Sequence, residues 1–296
     1  MHYVLTLVAT PGGLDSRHVE AARAALSAEA TLAATDWLAD ATACDLRFDA
    51  PSPAAAEESV RRALGDAAVD LVAQPIATRR KKLAVFDLES TVIANEMLDD
   101  MAAEIGVGDR VADITRRAMN NEMVFEDSLR ERVALFAGQS VDLLDTVRSG
   151  IVLDPGARIF FATCRAHGVH TALVTGGFDV FAEPLADELG IDTTHANGLE
   201  IEDDRLTGRA REPVHGRDTK RARIEELATR YGLEASEVMA VGDGANDLAM
   251  LAWAGIGVAY HAKPAVAATA RHRFEHVDLR GLLFIQGYRA EEWVTT

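Results

Sequence analysis

The chain has 296 residues, 48% of them hydrophobic, so it is long enough for two domains and for a sizeable core. Its 47 acidic and 30 basic residues give a formal net charge of -17, which argues against nucleic acid as a partner because a polyanion would be repelled. No segment approaches the roughly 20 apolar residues of a membrane span and the two cysteines are too few for a disulfide framework, so we expect a cytoplasmic protein without a membrane partner.

Residues 1–78 predict a small α+β domain in which strands and helices follow the order βαββαβ. This is the order of the ferredoxin-like split motif, and it resembles the small ACT-type domains that precede catalytic domains in amino-acid enzymes. The predicted strands are Tyr3–Ala9, Thr31–Leu38, Ala43–Phe48 and Val69–Ile76, and the predicted helices are Ser16–Ala28 and Pro53–Leu64. Both an effector-binding role and a purely structural role are compatible with this pattern.

A compact basic cluster follows the first domain. It consists of Arg79, Arg80, Lys81 and Lys82 and stands immediately before an apolar run. We interpret it as a solvated linker rather than as a nucleic-acid patch.

From residue 79 onward the pattern predicts an α/β domain with a parallel sheet, because apolar runs alternate with helical stretches. The runs are "KLAVFD" (82–87), "VHTALVTGG" (169–177), "VMAVGDGAND" (238–247) and "GIGVAY" (255–260). Three of the four runs meet polar or glycine-rich sequence at their carboxyl ends, where open α/β sheets bind ligands. We expect a core of residues 79–94 and 148–296, with a helical insertion at about 95–147 that covers the crevice as a cap.

Two carboxylates follow the first of these strands. Asp87 is well placed to attack an electrophile, and strand alternation would bring Glu89 to the same side. One acid could then attack phosphorus while the other protonates the leaving oxygen and later activates water. The alternative is that both residues only cap the following helix.

The segment "GDGAND" strengthens the catalytic interpretation. Asp243 and Asp247 suit a hard divalent cation, and the glycines at 242 and 244 allow a close backbone approach. Asp87 and Asp243 would share one Mg²⁺, which would neutralise an incoming phosphate dianion.

Two further segments could hold the phosphate. "VTGGF" offers the hydroxyl of Thr175 and exposed backbone N–H groups at Gly176 and Gly177. Lys220, near the start of a predicted helix, could supply a cation, although a solvated surface lysine is the common alternative.

The motifs "FDLEST", "VTGGF", Lys220 and "GDGAND", in this order, resemble those of the aspartate-nucleophile phosphatases of the haloacid dehalogenase superfamily, in particular the phosphoserine phosphatase family. The segments "NEMLDDMA", "ITRRAMNNEMVFEDSLRERV" and "HANGLEI" also look similar, so the resemblance spans roughly residues 82–284. It implies a haloacid-dehalogenase-like Rossmannoid sheet with an inserted helical cap.

The resemblance implies that Asp87 attacks O-phosphoserine, forms an aspartyl-phosphate and releases serine in the last step of serine biosynthesis. By the same matching, Mg²⁺ would be held by Asp87, the backbone carbonyl of Glu89, Asp243 and, through water, Asp247. The phosphate would contact Ser90, Thr175, Gly176, Lys220 and Asn246, and the amino-acid part of the substrate would contact Glu96, Arg132, Met119 and Phe125. An acid suits the substrate ammonium, and a guanidinium suits its carboxylate.

One residue departs from the family pattern, which usually has aspartate where Glu89 stands. The extra methylene requires the side chain to bend back, and a misplacement of about 1 Å can cost about 100-fold in rate. We expect a working enzyme with a folded-back Glu89. A slowed enzyme and a binding protein without turnover are the alternatives.

Two other functions stay open. A related phosphatase or phosphotransferase could act on another small phosphomonoester, although Glu96 and Arg132 favour an amino acid. The chain could also be an amino-acid sensor with a silent phosphatase domain. A transporting ATPase is excluded because no membrane spans are present, and a homodimer is the commonest symmetric assembly to expect.

Overall fold

A computed structural model describes residues 1–27, 31–120 and 122–295, and it leaves out the side chains of Met119, Arg217 and Asp218. Ala28, the predicted end of the first helix, therefore lies outside the described residues. The predicted cap residue Met119 is described in its backbone only. Within these ranges, no helix is both long enough and apolar enough to cross a membrane.

The first part of the chain forms an antiparallel sheet with two helices on one face. The sheet order is β2-β4-β1-β5, with β3 also paired to β4. The elements are β1 (Tyr3–Val8), α1 (Ser16–Ser27), β2 (Thr31–Leu32), β3 (Asp36–Ala39), β4 (Ala43–Asp49), α2 (Pro53–Leu64) and β5 (Asp70–Pro75).

The predicted continuous strand Thr31–Leu38 is wrong in one respect. The segment is two short strands, because β2 pairs with the end of β4 and β3 with its beginning. Between them, the backbone N–H of Ala33 donates to the carbonyl of Arg47.

Strand alternation gives this sheet two buried faces. Leu5 and Leu7 of β1 pack with the helices, in one apolar cluster. Val8, Ala43 and Val72 belong instead to the main apolar cluster of the following part of the chain. The sheet is therefore covered by its own helices on one side and by the rest of the protein on the other.

The second part begins with a strand and then makes an excursion of four helices. These elements are β6 (Leu83–Phe86), α3 (Met97–Glu104), α4 (Gly108–Met119), α5 (Phe125–Val133) and α6 (Asp142–Ser149). The chain then returns through α7 (Ala157–Ala166), β7 (His170–Phe178), α8 (Asp179–Leu189), β8 (Thr193–Asn197), β9 (Leu199–Glu202), β10 (Arg205–Ala210), α9 (Arg217–Tyr231), β11 (Val238–Gly242), α10 (Leu248–Trp253), β12 (Ile256–Tyr260), α11 (Pro264–Thr269), β13 (His272–Phe274) and α12 (Gly281–Ile285).

The sheet of this part is parallel, as the sequence predicted. Its order is β13-β12-β11-β6-β7-β8, with β6 and β11 at the centre. One face packs Phe86 against Phe160 and Phe161, with ring centroids 5.0 and 5.2 Å away. The other face packs Leu83 and Val85 against α9 and α10. Because both faces are buried, polar side chains on the central strands can emerge only at the strand ends.

Three features of this part were not predicted from the sequence: β8, β13 and the β9–β10 hairpin. The hairpin contacts the helical excursion, since the N–H of Gly138 donates to Leu206 O (2.8 Å) and the N–H of Leu206 donates to Gln139 O (2.9 Å). The excursion is therefore held from two directions, by its own chain ends and by the hairpin.

The basic cluster before β6 is only half solvated, which corrects the interpretation from sequence: Arg80 and Lys82 are exposed, but the other two residues are not. Arg79 and Lys81 are buried, with 9% and 3% exposure. Lys81 Nζ donates to Thr78 O (2.6 Å) and to Ser236 O (2.9 Å), and burial lowers the pKa of Lys81 to about 8.

Arg79 joins the two parts of the chain. Its NH1 and NH2 donate to the two carboxylate oxygens of Asp45 at 2.5 and 2.6 Å. Its Nε donates to Ile285 O (3.0 Å) and its NH2 to Phe284 O (3.0 Å), at the end of α12. Since α12 is buried throughout, this apolar segment belongs to the core.

We expect Arg79→Met to lower the free energy of unfolding by about 3–5 kcal/mol, because the buried carboxylate of Asp45 loses its counter-ion. Arg62→Met is the matched control, since Arg62 is 68% exposed and lies 3.8 Å from Glu58. This control should change stability by less than about 1 kcal/mol. Urea denaturation measures both, and equal losses in the two variants would contradict the role of Arg79.

Candidate active site

The site lies where the two central strands end. Asp87 follows β6 and Asp243 follows β11, and the N–H of Asp87 donates to Val241 O at 2.9 Å. The strand pairing thus extends to Asp87 itself. Both residues are only 6% exposed. The two acids predicted to share one cation, Asp87 and Asp243, thus lie side by side at the carboxyl edge of the sheet.

Asp247 completes a cluster of three carboxylates. One oxygen from each of Asp87, Asp243 and Asp247 lies within 4.8 Å of the others. Asp247 Oδ2 accepts the N–H of Gly244 (2.9 Å), and its carboxyl group packs so closely on Gly242 that a side chain there would collide with it. The glycines of "GDGAND" are needed for this close approach.

Lys220 is enclosed by the cluster. From the first turn of α9, its Nζ lies 2.8 Å from Asp87 Oδ2 and 2.6 Å from Asp247 Oδ1. Burial would lower the pKa of Lys220, but the attraction of Asp247 and Asp87 outweighs burial and raises it. Lys220, the lysine predicted to bind the phosphate, is therefore buried and charged rather than a solvated surface residue.

The cluster carries more negative charge than its surroundings stabilise. Burial and then repulsion by Asp87 raise the pKa of Asp243 to about 6 and that of Asp247 to about 7. A divalent cation would relieve both effects. Oxygen donors on three convergent carboxylates fit a hard ion such as Mg²⁺.

Glu89 connects the site with the helical excursion. Its Oε1 accepts the N–H of Met97, the first residue of α3, at 2.9 Å. Its carboxyl group also packs on Gly177, where a Cβ would lie 3.0 Å from Oε2. Burial, followed by repulsion from Glu96 and Asp87, raises the pKa of Glu89 to about 8. The longer side chain is thus accommodated against a glycine and anchored at a helix start.

The "VTGG" segment lies beside the carboxylates, at the end of β7. Thr175 is buried, and its hydroxyl accepts the N–H of Gly177 at 2.9 Å. The expectation that Gly177 offers an exposed N–H to phosphate is therefore wrong in this structure, because the local turn already satisfies that donor. Thr175 and the Gly176 backbone remain as the candidates.

Asn197 holds this segment in place, and the sequence analysis missed it. Its Nδ2 donates to Gly176 O (2.8 Å), and its Oδ1 accepts the N–H of His215 (2.6 Å). The signal was present only as the segment "HANGLEI", which resembled the family without indicating a role.

Lys263 is a second residue that the sequence analysis missed. It stands directly after "GIGVAY" and "HA", and its Nζ lies 3.8 Å from Asp243 Oδ2. A lysine just beyond the carboxyl end of a predicted strand was the available signal. Asn246, which was predicted, is partly buried and packs its amide against Gly244.

Ser90 and Glu96 meet at the entrance to the excursion. Ser90 has φ +54°, a left-handed conformation that is uncommon outside glycine. Its hydroxyl donates to Glu96 Oε1 at 2.8 Å, so in this structure Ser90 binds Glu96. Burial raises the pKa of Glu96, and this hydrogen bond acts against the rise.

Arg132 and Phe125 lie on α5 of the excursion. Burial lowers the pKa of Arg132, while the nearby acids Asp99, Glu89 and Glu96 oppose that effect. Its Nε donates to the carbonyl of the preceding turn (3.3 Å), and within the described ranges no carboxylate lies within 4 Å of its guanidinium. The Phe125 ring packs on Gly176, 3.3 Å from the position of a Cβ there.

The chain is similar to known proteins in sequence and in structure. The family model of the haloacid dehalogenase-like hydrolases matches residues 84–252. A phosphoserine phosphatase of Archaeoglobus fulgidus is 39% identical over 234 residues, which are 78% of this chain and 68% of that protein. A phosphoserine phosphatase of Mycobacterium tuberculosis is 41% identical over 233 residues, 79% of this chain and 55% of that protein. This chain thus spans about half the length of the mycobacterial relative.

The structural comparison covers nearly the whole chain. The crystal structure of a probable phosphoserine phosphatase from Vibrio cholerae, in unliganded form, has a TM-score of 0.79 and 31% identity. The match includes 98% of this chain and 88% of that one. The family model matches more than half of this chain, and the chain covers two thirds of the Archaeoglobus relative. The chain therefore belongs to the haloacid dehalogenase-like hydrolase family.

Proposed function

We propose that this chain is a Mg²⁺-dependent phosphoserine phosphatase, which hydrolyses O-phosphoserine to serine and phosphate in the last step of serine biosynthesis. The observation that carries the proposal is the buried cluster in which Lys220 contacts Asp87 and Asp247 beside Asp243. The named relatives support the choice of substrate.

Asp87 is the nucleophile in this proposal. The N–H of Leu88 donates to its Oδ1 (2.8 Å) and Lys220 contacts its Oδ2, so the carboxylate is held in one orientation. One of its oxygens forms a bond to phosphorus while the bond from phosphorus to the serine oxygen breaks. The product of this step is an aspartyl-phosphate and free serine.

Asp87, Asp243, Asp247 and the backbone carbonyl of Glu89 would hold the cation. Bound Mg²⁺ would supply charge neutralisation for the phosphate and the surrounding carboxylates. Thr175, Gly176, Lys220, Ser90 and Asn246 would contact the phosphoryl oxygens.

Glu89 is the general acid and base. A pKa of about 8 keeps it protonated at neutral pH, so it can donate a proton to the departing serine oxygen. It is then a carboxylate, and it accepts a proton from the water that attacks phosphorus. The bond from the water oxygen to phosphorus forms as the bond from phosphorus to Asp87 breaks. This step frees the Asp87 carboxylate, returns Glu89 to its protonated form and releases phosphate.

The helical excursion provides the amino-acid subsite. Glu96 would bind the substrate ammonium and Arg132 its carboxylate, with Phe125 and Met119 lining the pocket. Among the described residues, Arg132 donates to the Ser128 carbonyl but pairs with no carboxylate. This supports the role, since a guanidinium binds a carboxylate through two parallel hydrogen bonds. A phosphomonoester without amino-acid charges would leave both residues unmatched.

We assign the domains as residues 1–78, an ACT-like unit, and 79–296, a phosphatase unit with a core of 79–94 and 148–296 and a cap at about 95–147. The sheet order β2-β4-β1-β5 supports the ferredoxin-like arrangement of the first unit. Cys44 and Cys164 are both free and buried, which is compatible with a reducing cytoplasm.

Asp87→Asn should lower phosphoserine turnover at least about 1,000-fold, because an amide is a poor nucleophile. Acid-quenched protein should also carry no covalent phosphate. Asp145→Asn, which removes the same charge from a side chain that is 71% exposed on α6, is the control and should keep full activity. Activity of the Asp87 variant within tenfold of the unmodified chain would refute the mechanism.

Glu89→Gln should slow serine release about 100- to 10,000-fold, because the amide has no acidic proton to give. Glu89→Asp keeps the carboxyl group and should retain or exceed the original rate. In the unmodified chain, serine release should decline as the pH rises through about 8, where Glu89 loses its proton. Stopped-time assays of serine across pH measure all three proteins, and equal rates would remove Glu89 from the mechanism.

Arg132→Met should lower kcat/KM for O-phosphoserine about 10- to 100-fold, since one or two charge-assisted hydrogen bonds are lost. With O-phosphoethanolamine, which has no carboxylate, the same variant should match the unmodified chain. Arg130→Met is the control on the same helix, because Arg130 is 46% exposed and pairs with Asp127 and Glu212. An equal loss on both substrates would show that Arg132 does not read the carboxylate.

A further inference from the structure

Lys263 is a second cation at the edge of the sheet that carries the carboxylate cluster. It immediately precedes α11 and follows β12, the strand that pairs with β11 beside Asp243. Its Nζ lies 3.8 Å from Asp243 Oδ2, and 59% of its side chain is exposed. Lys220 is enclosed within the cluster, whereas Lys263 stands at its mouth.

The turn before Lys263 has a backbone conformation that most residues avoid. His261 has φ +43°, and the structure around it holds this strained geometry. The N–H of His261 donates to Phe274 O (2.8 Å), and its ring Nε2–H donates to Val277 O (3.1 Å). Pro264 then starts α11 with a preset φ. The chain is thereby turned back at the sheet edge, which brings Lys263 to Asp243.

The charges near Lys263 set it apart from the other cation of the site. Lys220 is already engaged by two carboxylates at 2.8 Å or less. Lys263 has, among the residues with described side chains, only the Asp243 contact, which is longer than a hydrogen bond. Burial raises the pKa of Asp243 and of Glu96, and the charge of Lys263 acts against that rise in both. Its ammonium therefore lies near both the carboxylate cluster and Glu96, at the entrance to the excursion.

We propose that Lys263 recruits the phosphate dianion at the mouth of the site and stays against the phosphoryl group in the bound complex. The inference rests on the proposed function and adds a substrate-binding residue to it. A compact ammonium on a flexible stem can follow a ligand inward, and a charge at a rim acts mainly on association and its salt dependence. The recognised ligand class is a phosphate monoester dianion.

The chain offers a direct way to observe Lys263, because it contains only four lysines: Lys81, Lys82, Lys220 and Lys263. Lys81 and Lys220 are each 3% exposed. Lys82 is 62% exposed and stands before the opposite, amino-terminal end of β6, where it pairs with Glu237 at 2.6 Å. Lys82 is therefore a matched exposed reference for any amine reagent.

The first experiment labels the full chain with an amine-acetylating reagent in Mg²⁺, with and without inorganic phosphate, and quantifies each lysine by peptide mass spectrometry. Phosphate should reduce the labelling of Lys263 several-fold and leave Lys82 unchanged. This readout needs no turnover, so it remains decisive if phosphoserine is not the substrate. Equal labelling of Lys263 in both conditions would overturn the proposal.

The second experiment compares Lys263→Met, Lys263→Arg and the control Lys82→Met in phosphoserine hydrolysis. At low ionic strength, Lys263→Met should lower kcat/KM about five- to tenfold through a higher KM, with kcat nearly unchanged. The difference should close near 1 M salt, where the Debye length is about 3 Å. Lys263→Arg and Lys82→Met should behave like the unmodified chain.

The outcomes separate this inference from the proposed function. A Lys263→Met protein with the KM and salt dependence of Lys82→Met would refute the recruiting role while leaving the phosphatase activity intact. An unmodified chain without turnover on phosphoserine would refute the proposed function, and the labelling experiment alone would then decide whether Lys263 binds phosphate.

Discussion

The buried ion cluster at the carboxyl ends of β6 and β11 is the constraint on which the rest of this structure depends. Asp87, Asp247 and Lys220 are removed from water together, and Asp243 adds a third carboxylate. Among the described side chains, Lys220 is the buried cation that contacts this cluster. Burying such charges is unfavourable unless their partners are held in place. Here strand pairing fixes Asp87, the glycine turn fixes Asp247, and the first turn of α9 fixes Lys220. The excess negative charge that results favours a divalent cation at this edge.

Glu89 extends this constraint to the cap. Its carboxyl group accepts a hydrogen bond from the start of α3 and packs on Gly177, so the residue proposed for proton transfer also touches the first cap helix and the phosphate segment. The Phe125 ring, on α5, packs on Gly176. Small residues at 176 and 177 leave room for these two close contacts between the excursion and the sheet. These contacts link the residues proposed for proton transfer with those proposed for substrate selection.

The first part of the chain is joined to the second through buried polar groups as well as apolar ones. Arg79 contacts Asp45 and the end of α12, and the Asp70 carboxylate accepts the N–H groups of residues 275–277. The carbonyl of Val277 also accepts a hydrogen bond from the His261 ring. His261 lies in the turn that leads to Lys263. The antiparallel sheet thus supports the segment that delivers a cation to the active-site edge.

The sequence by itself determined the parallel sheet, the excursion of helices after the first strand and the acids Asp87, Asp243 and Asp247, because these follow from periodicity and from chemistry placed at strand ends. It offered Lys220 as a candidate near a helix start but left a surface position open. It did not reveal the β9–β10 hairpin, the buried role of Arg79, the anchoring by Asn197 or the position of Lys263. Each of these depends on contacts between segments far apart in the chain, such as positions 79 and 45 or 263 and 243. The local hydrophobic pattern of the sequence indicates which face of a helix or strand is apolar. Only the tertiary structure decides which polar groups meet when those faces pack, and it likewise decided that Gly177 donates its N–H to Thr175 rather than to a ligand.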